Sequence, residues 1–265
     1  MVSDEDIEKR VQDFVFAMNL VKNAIENELF VLYFQPYFEV ETLEVVGAEC
    51  LVRIVDKDGK IYTPAYFIDY LEKSRYLRSF EGWLIREAIK SAGKLGLKLS
   101  INLSASTLKE AEFVKTLLAM PQLPLVIEIT ERVILELGSE MLELLETLRR
   151  ERGVKIAMDD FGTGYSTLSQ LTQLPVDILK IDMSFVKNMI NNKRIRAIVR
   201  NTIALARDLG IATLAEGIET EPQLRMLQGM GCDFVQGYLF AKPMNMEDMV
   251  RFLEERRNKL AGALR

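Results

Sequence analysis

Short apolar runs recur along the chain with helical stretches between them. The runs are Phe30–Phe34, Val45–Val52, Leu97–Leu103, Leu125–Ile129, Val154–Met158, Ile178–Ile181, Ala212–Ala215 and Phe234–Val235. Their length and β-branched content predict strands. The intervening segments carry apolar residues at helical spacing, as in Met141-Leu142-Leu144-Leu145-Leu148 and Ile195-Ile198-Val199-Ile203. Strands alternating with helices imply right-handed βαβ units and a mostly parallel sheet. Eight such runs in 265 residues fit a closed barrel, a fold of roughly 250 residues.

Parity within the runs assigns faces, because successive side chains of a strand point to opposite sides. Leu97, Leu99 and Ile101 share one face and Asn102 ends the other; Leu125, Ile127 and Ile129 oppose Glu128. Val154, Ile156 and Met158 oppose Asp159, and Leu179 and Ile181 oppose Lys180. Glu49 and Arg53 share a parity, and Glu216 continues that of Ala212 and Leu214. If the bulky faces meet the helices, then Glu49, Asn102, Glu128, Asp159, Lys180 and Glu216 all point into the barrel. Most end their strands at the C-terminal mouth, where barrel enzymes place their sites. One polar residue ending a strand is ordinarily a solvated edge; six on matching parity are a site.

Composition narrows the chemistry. The chain has no histidine, so no Ser-His-Asp or Cys-His pair and no imidazole base can form. Its 34 basic and 39 acidic residues leave a net charge of −5, which excludes a protein that coats nucleic-acid polymers. Cys50 and Cys232 lie far apart and read as reduced core thiols. The acidic start has no apolar core of a signal peptide, and no apolar run approaches the roughly 18 residues of a membrane span, so a cytoplasmic location is expected.

With Asp160 and Glu219 the mouth holds six carboxylates against Lys180 and Arg53. Like charges about 4 Å apart repel by roughly 4 kcal/mol at an effective dielectric near 20. Two divalent metals would neutralise the excess, and oxygen-only ligands suit Mg²⁺ or Mn²⁺. Paired metals serve in-line displacement at phosphorus. The residues alone therefore suggest a two-metal phosphohydrolase with Lys180 beside the attacking water. Asp160-Phe161-Gly162 matches the kinase metal triplet, yet without HRD and a Gly-rich loop the match is chance.

The motifs Glu49-Cys50-Leu51-Val52-Arg53, Asn102-Leu103-Ser104, Glu128-Ile129-Thr130-Glu131, Asp159-Asp160-Phe161-Gly162-Thr163-Gly164, Lys180-Ile181-Asp182, Ala215-Glu216-Gly217-Ile218-Glu219 and Gln236-Gly237-Tyr238 occur in that order. Over about residues 25 to 255 the chain resembles the EAL-domain family of cyclic di-GMP phosphodiesterases. The resemblance implies a (β/α)8 TIM-like barrel with an antiparallel first strand, and hydrolysis of cyclic di-GMP to linear pGpG with two divalent metals, Mg²⁺ or Mn²⁺. It implies that Glu49, Asn102, Glu128 and Asp159 hold the first metal and Asp159 with Asp160 the second. Lys180 and Glu216 would orient and deprotonate the water, Glu219 would support the second site, and Glu131 would anchor the Asp-Asp-Phe-Gly loop. Gln35, Arg53 and Gln236 would hold the substrate. The chain departs from the pattern at Cys50, in place of the signature alanine, and at Leu71 and Arg75, where small residues are usual. A receptor that binds the nucleotide without cleaving it is the competing class; it would lack metal ligands that this chain has.

The N-terminal segment lies outside those motifs. Ile7, Val11, Phe14, Met18, Val21 and Ile25 are spaced 4, 3, 4, 3, 4, a heptad seam. It predicts an amphipathic helix over 1–27, followed by a barrel over 28–257 and a tail over 258–265. The seam is covered either by its own barrel or by a second chain, which would make a homodimer and a port for an upstream sensor.

Overall fold

The computed structural model describes residues 4–130, 133, 137–159 and 174–263. Helix α1 (Asp4–Glu26) leads into a hairpin of β1 (Phe30–Glu39) and β2 (Val45–Val55). The two-residue β3 (Ile61–Tyr62) follows, then β4 (Lys98–Asn102), β5 (Leu125–Thr130), β6 (Lys155–Asp159), β7 (Ile178–Ile181), β8 (Ala212–Ala215) and β9 (Phe234–Val235). The order β1-β9-β8-β7-β6-β5-β4-β2 closes through β1–β2 pairing, and β3 hangs outside on β2. β1 is antiparallel to both its neighbours, β2 and β9, while β2 and β4 through β9 run parallel. The expected TIM-like barrel with a reversed first strand is present, preceded by the N-terminal helix.

The hairpin is longer than its apolar runs. β1 runs past Phe34 through Gln35 to Glu39, and β2 runs past Val52 through Arg53 to Val55, so a polar inner-face residue carries each strand beyond its hydrophobic run. Inside the barrel, Tyr37, Val126, Ala157, Ile178 and Leu214 form a separate small core. The ring of Tyr37 lies over Gly47, where any Cβ would come within 2.1 Å of its hydroxyl. Outside, Leu99, Ile101, Leu125, Ile127, Ile129, Ile156, Met158 and Leu179 belong to the main core beneath the helices. Each such side chain contributes about 1.5–3 kcal/mol when fully buried. The bulky faces therefore do meet the helices, and the opposite parity lines the interior.

Among the helices, Leu77–Leu95 buries Leu77, Phe80, Leu84, Ile85 and Ala88, and Gly96 in the left-handed region ends it. The last described helix, Met246–Ala263, packs on β1. No helix among the described residues is long and apolar enough to cross a membrane.

Helix α1 divides in two. Ala17, Leu20, Val21 and Ala24 are buried on the barrel, whereas Ile7, Val11 and Phe14 are more than half exposed. Phe14 meets Tyr70 edge-on at 5.3 Å between ring centres, and Phe16 lies 5.9 Å from Tyr62. The heptad seam thus docks at Val21 and is open at its N-terminal half. Burying a charge at a packed position belongs to the strongly destabilising class of substitution. Val21→Asp is expected to lower unfolding stability by about 3 kcal/mol or more, and Val11→Asp to leave it nearly unchanged, in parallel denaturant titrations. Equal losses would contradict the division.

Candidate active site

The C-terminal ends of the parallel strands bring the predicted inward residues to one mouth. Lys180, the third residue of β7, is 2% exposed. Its Nζ lies 2.6 Å from Glu128 Oε2, 2.8 Å from Glu216 Oε1 and 3.5 Å from Asp159 Oδ2. Asn102 Nδ2 donates to Glu128 Oε2 at 3.4 Å. Gln236 Nε2 donates to Glu49 Oε2 at 2.9 Å. Side chains from β2, β4, β5, β6 and β7 and from the ends of β8 and β9 therefore meet, although they span nearly the whole sequence.

The electrostatics follow from burial with too little positive charge. Burial pushes the Glu128 carboxyl up to about 7, against the opposing pull of Lys180. Burial likewise pushes Glu216 up to about 8, again opposed by Lys180. For Lys180, burial alone would lower the pKa, but Glu128, Glu49, Glu216 and Asp159 outweigh it and hold the ammonium charged, well above its ordinary value. One ammonium serves four carboxylates. A hard divalent cation fits this donor set, which is all oxygen and short of countercharge. Among the described residues no three carboxylates already surround one coordination point, and the ammonium occupies the centre.

The remaining expected residues take different places. Arg53 lies with its guanidinium carbon 5.6 Å from the ring centre of Tyr33. Its Nη1 donates to the carbonyl of Val52 at 2.8 Å. Gln35 Nε2 donates to the carbonyl of Ala241 at 3.2 Å. Glu219 is exposed on the loop after β8, and its backbone N–H donates to Gln223 Oε1 at 2.8 Å. Gly217 in the same loop has φ +69 and sits against Met183, whose Cβ would be 2.4 Å from any added Cβ. Asp160, Glu131 and the motif 160–166 lie outside the described residues.

Two supporting residues escaped the sequence reading. Glu81 is buried and accepts the backbone N–H of Ser104 at 2.7 Å and its hydroxyl at 3.2 Å, which fixes the loop after Asn102. Its signal was a carboxylate on the apolar stripe of Leu77, Phe80 and Leu84. Gln223 forms a capping box with Thr220 and so holds the Glu219 loop, a pattern legible as Thr-x-x-Gln.

Known proteins share this sequence and architecture. The sequence profile of the EAL domain matches residues 18–243. The signaling protein YkoW of Bacillus subtilis is 34% identical over 247 residues, covering 89% of this chain and 31% of that protein. A protein of Pseudomonas aeruginosa named as a cyclic di-GMP phosphodiesterase is 34% identical over 253 residues, 90% of this chain and 43% of its own length. This chain thus spans well under half the length of either relative. Among solved structures, an EAL enzyme with cAMP and cyclic di-GMP bound superposes with a TM-score of 0.85 at 30% identity, covering 92% of this chain and 70% of that one. An EAL-domain protein of Listeria monocytogenes superposes with a TM-score of 0.80 at 31% identity, covering 89% and 97%. With a reversed first strand, a carboxylate mouth and a profile match over most of its length, this chain belongs to the EAL-domain family.

Proposed function

We propose that this chain hydrolyses cyclic di-GMP to linear pGpG with Mg²⁺ or Mn²⁺ at the barrel mouth. The observation that carries the reading is one buried ammonium, Lys180, within 2.6 to 3.5 Å of Glu128, Glu216 and Asp159. Relatives named as cyclic di-GMP phosphodiesterases, and the EAL enzyme solved with that nucleotide, support the substrate class. Divalent cations, when bound, supply charge stabilisation at phosphorus and a more acidic water. Glu49, Asn102, Glu128 and Asp159 would hold one, and Asp159 with Asp160, supported by Glu219, the other.

The chain's own groups would do the rest. Lys180, held rigidly by its carboxylates, would direct an N–H at the attacking oxygen. Glu216 would take that water's proton as the water oxygen bonds to phosphorus. The P–O bond to one ribose oxygen would break, and that oxygen would leave with a proton from solvent. Arg53 would offer its planar guanidinium to a phosphate while keeping its stacking on Tyr33. Gln35 would supply a neutral donor beside it. Glu131 would anchor the 160–166 loop. On this reading residues 28–257 form the catalytic barrel in the cytoplasm, 1–27 the accessory helix and 258–265 a tail.

Lys180→Met keeps the volume and removes the donor. Hydrolysis followed by chromatography of pGpG is expected to fall about a hundredfold or more, as for other general acid–base groups, with nucleotide binding retained. A variant that hydrolyses normally would refute the role of Lys180. Wild-type chain that binds cyclic di-GMP with Mn²⁺ present and yields no pGpG would instead establish a receptor.

Metal binding to the native state alone would add about 2.7 kcal/mol at a hundredfold excess over Kd. Melting in EDTA and in excess Mn²⁺ is expected to differ accordingly, and coincident curves would sink the metal site.

The open half of α1 would be covered by the same half of a second copy, or of a sensor in a longer protein. Light scattering is expected to give a dimer for the full chain and a monomer for a chain lacking residues 1–16. A truncated chain that stays dimeric would exclude pairing through the helix.

A further inference from the structure

The family resemblance implies that Gln236 contacts the substrate, and in the structure its side chain is engaged by a carboxylate of the mouth. Gln236 is 4% exposed, and its Nε2 donates to Glu49 Oε2 at 2.9 Å. Glu49 stands on β2 and Gln236 just past β9, the two strands that flank β1. The hydrogen bond therefore crosses the mouth over the reversed strand.

The donor is itself held firmly. The backbone N–H of Gln236 donates to the carbonyl of Ala215 at 2.9 Å, and its carbonyl accepts from Ile218 N–H at 3.1 Å. A Cβ on Gly237 would lie 2.1 Å from the carbonyl oxygen of Ile218, so only glycine lets the two segments touch. Both sides of Gln236 are thus tied to the segment that carries Glu216.

A primary amide can orient a carboxylate without neutralising it. A lysine or arginine in its place would compete with a bound cation for the same charge. Carboxylates that ligate metals are commonly oriented by such outer hydrogen bonds. We propose that Gln236 is a positioning residue that acts on the cation through Glu49, rather than by touching the nucleotide. The inference rests on the reading of Glu49 as a metal ligand given above.

The test follows Mn²⁺ binding to the full chain, without nucleotide, by loss of the free-ion electron paramagnetic resonance signal. Wild type, Gln236→Leu, Glu49→Ala and the double variant are compared. Gln236→Leu is expected to weaken Mn²⁺ binding about 10- to 100-fold. In the Glu49→Ala background it should add nothing, because both changes remove one unit. Cyclic di-GMP affinity, measured by calorimetry in EDTA, should be unchanged. Gln236→Met repeats the loss of the donor with a second side chain, and an unaltered melting temperature shows that the variants fold. Retained Mn²⁺ affinity with weakened nucleotide binding would overturn the proposal in favour of direct substrate contact. Additive losses in the double variant would overturn it as well. Wild-type chain that binds no Mn²⁺ is a distinct result, and would defeat the metal reading beneath both.

Discussion

A single ammonium buried among carboxylates sets the terms for the rest of this barrel. Removing an ion from water costs several kcal/mol even after relaxation, so a charge is kept inside a protein only by partners in good geometry. Lys180 has three within reach, each delivered by a different strand. The arrangement works only if those strands hold their relative register. A slip of one residue would turn each inward carboxylate toward the helices and leave the ammonium without a partner.

The barrel floor makes that register robust. Tyr37 spans the interior over Gly47 and packs with Val126, Ala157, Ile178 and Leu214, one layer below the charged residues. The layer is apolar apart from the Tyr37 hydroxyl and the buried Ser100 hydrogen-bonded to it, and it lies beneath the site. Interactions above it act in a medium of low polarisability and are strengthened. The outer shell of Leu, Ile and Met fixes the same strands from the other side. Charge, floor and shell are three consequences of one alternation of residue size along each strand.

That alternation is why so much was legible. A period of two is local, so the strands and the inward set Asn102, Glu128, Asp159 and Lys180 could be read within runs of a few residues. The reversal of β1 was not in the pattern: an apolar run has no direction, and only the family resemblance supplied it. Contacts between distant residues were also hidden, as with Gln236 and Glu49, which lie 187 positions apart. Glu81 was overlooked although it broke an apolar stripe, because a lone carboxylate on a helix ordinarily faces water. In α1 the heptad count gave equal weight to large side chains throughout. The docked half instead relies on Ala17 and Ala24, whose small size lets the helix approach the barrel closely.

The reversed strand has a mechanical consequence. In an all-parallel barrel the chain enters at the floor, and the first strand climbs toward the site. Here Phe30 pairs with Ile54 at the upper end of β2, so the chain enters at the rim and descends. Five residues further on, Gln35 stands opposite Glu49. Helix α1 is therefore joined to the reactive end by a three-residue turn, 27–29, and one short strand of backbone. A push or pull on α1 would load that strand first, and the carboxylate cage would be its nearest neighbour.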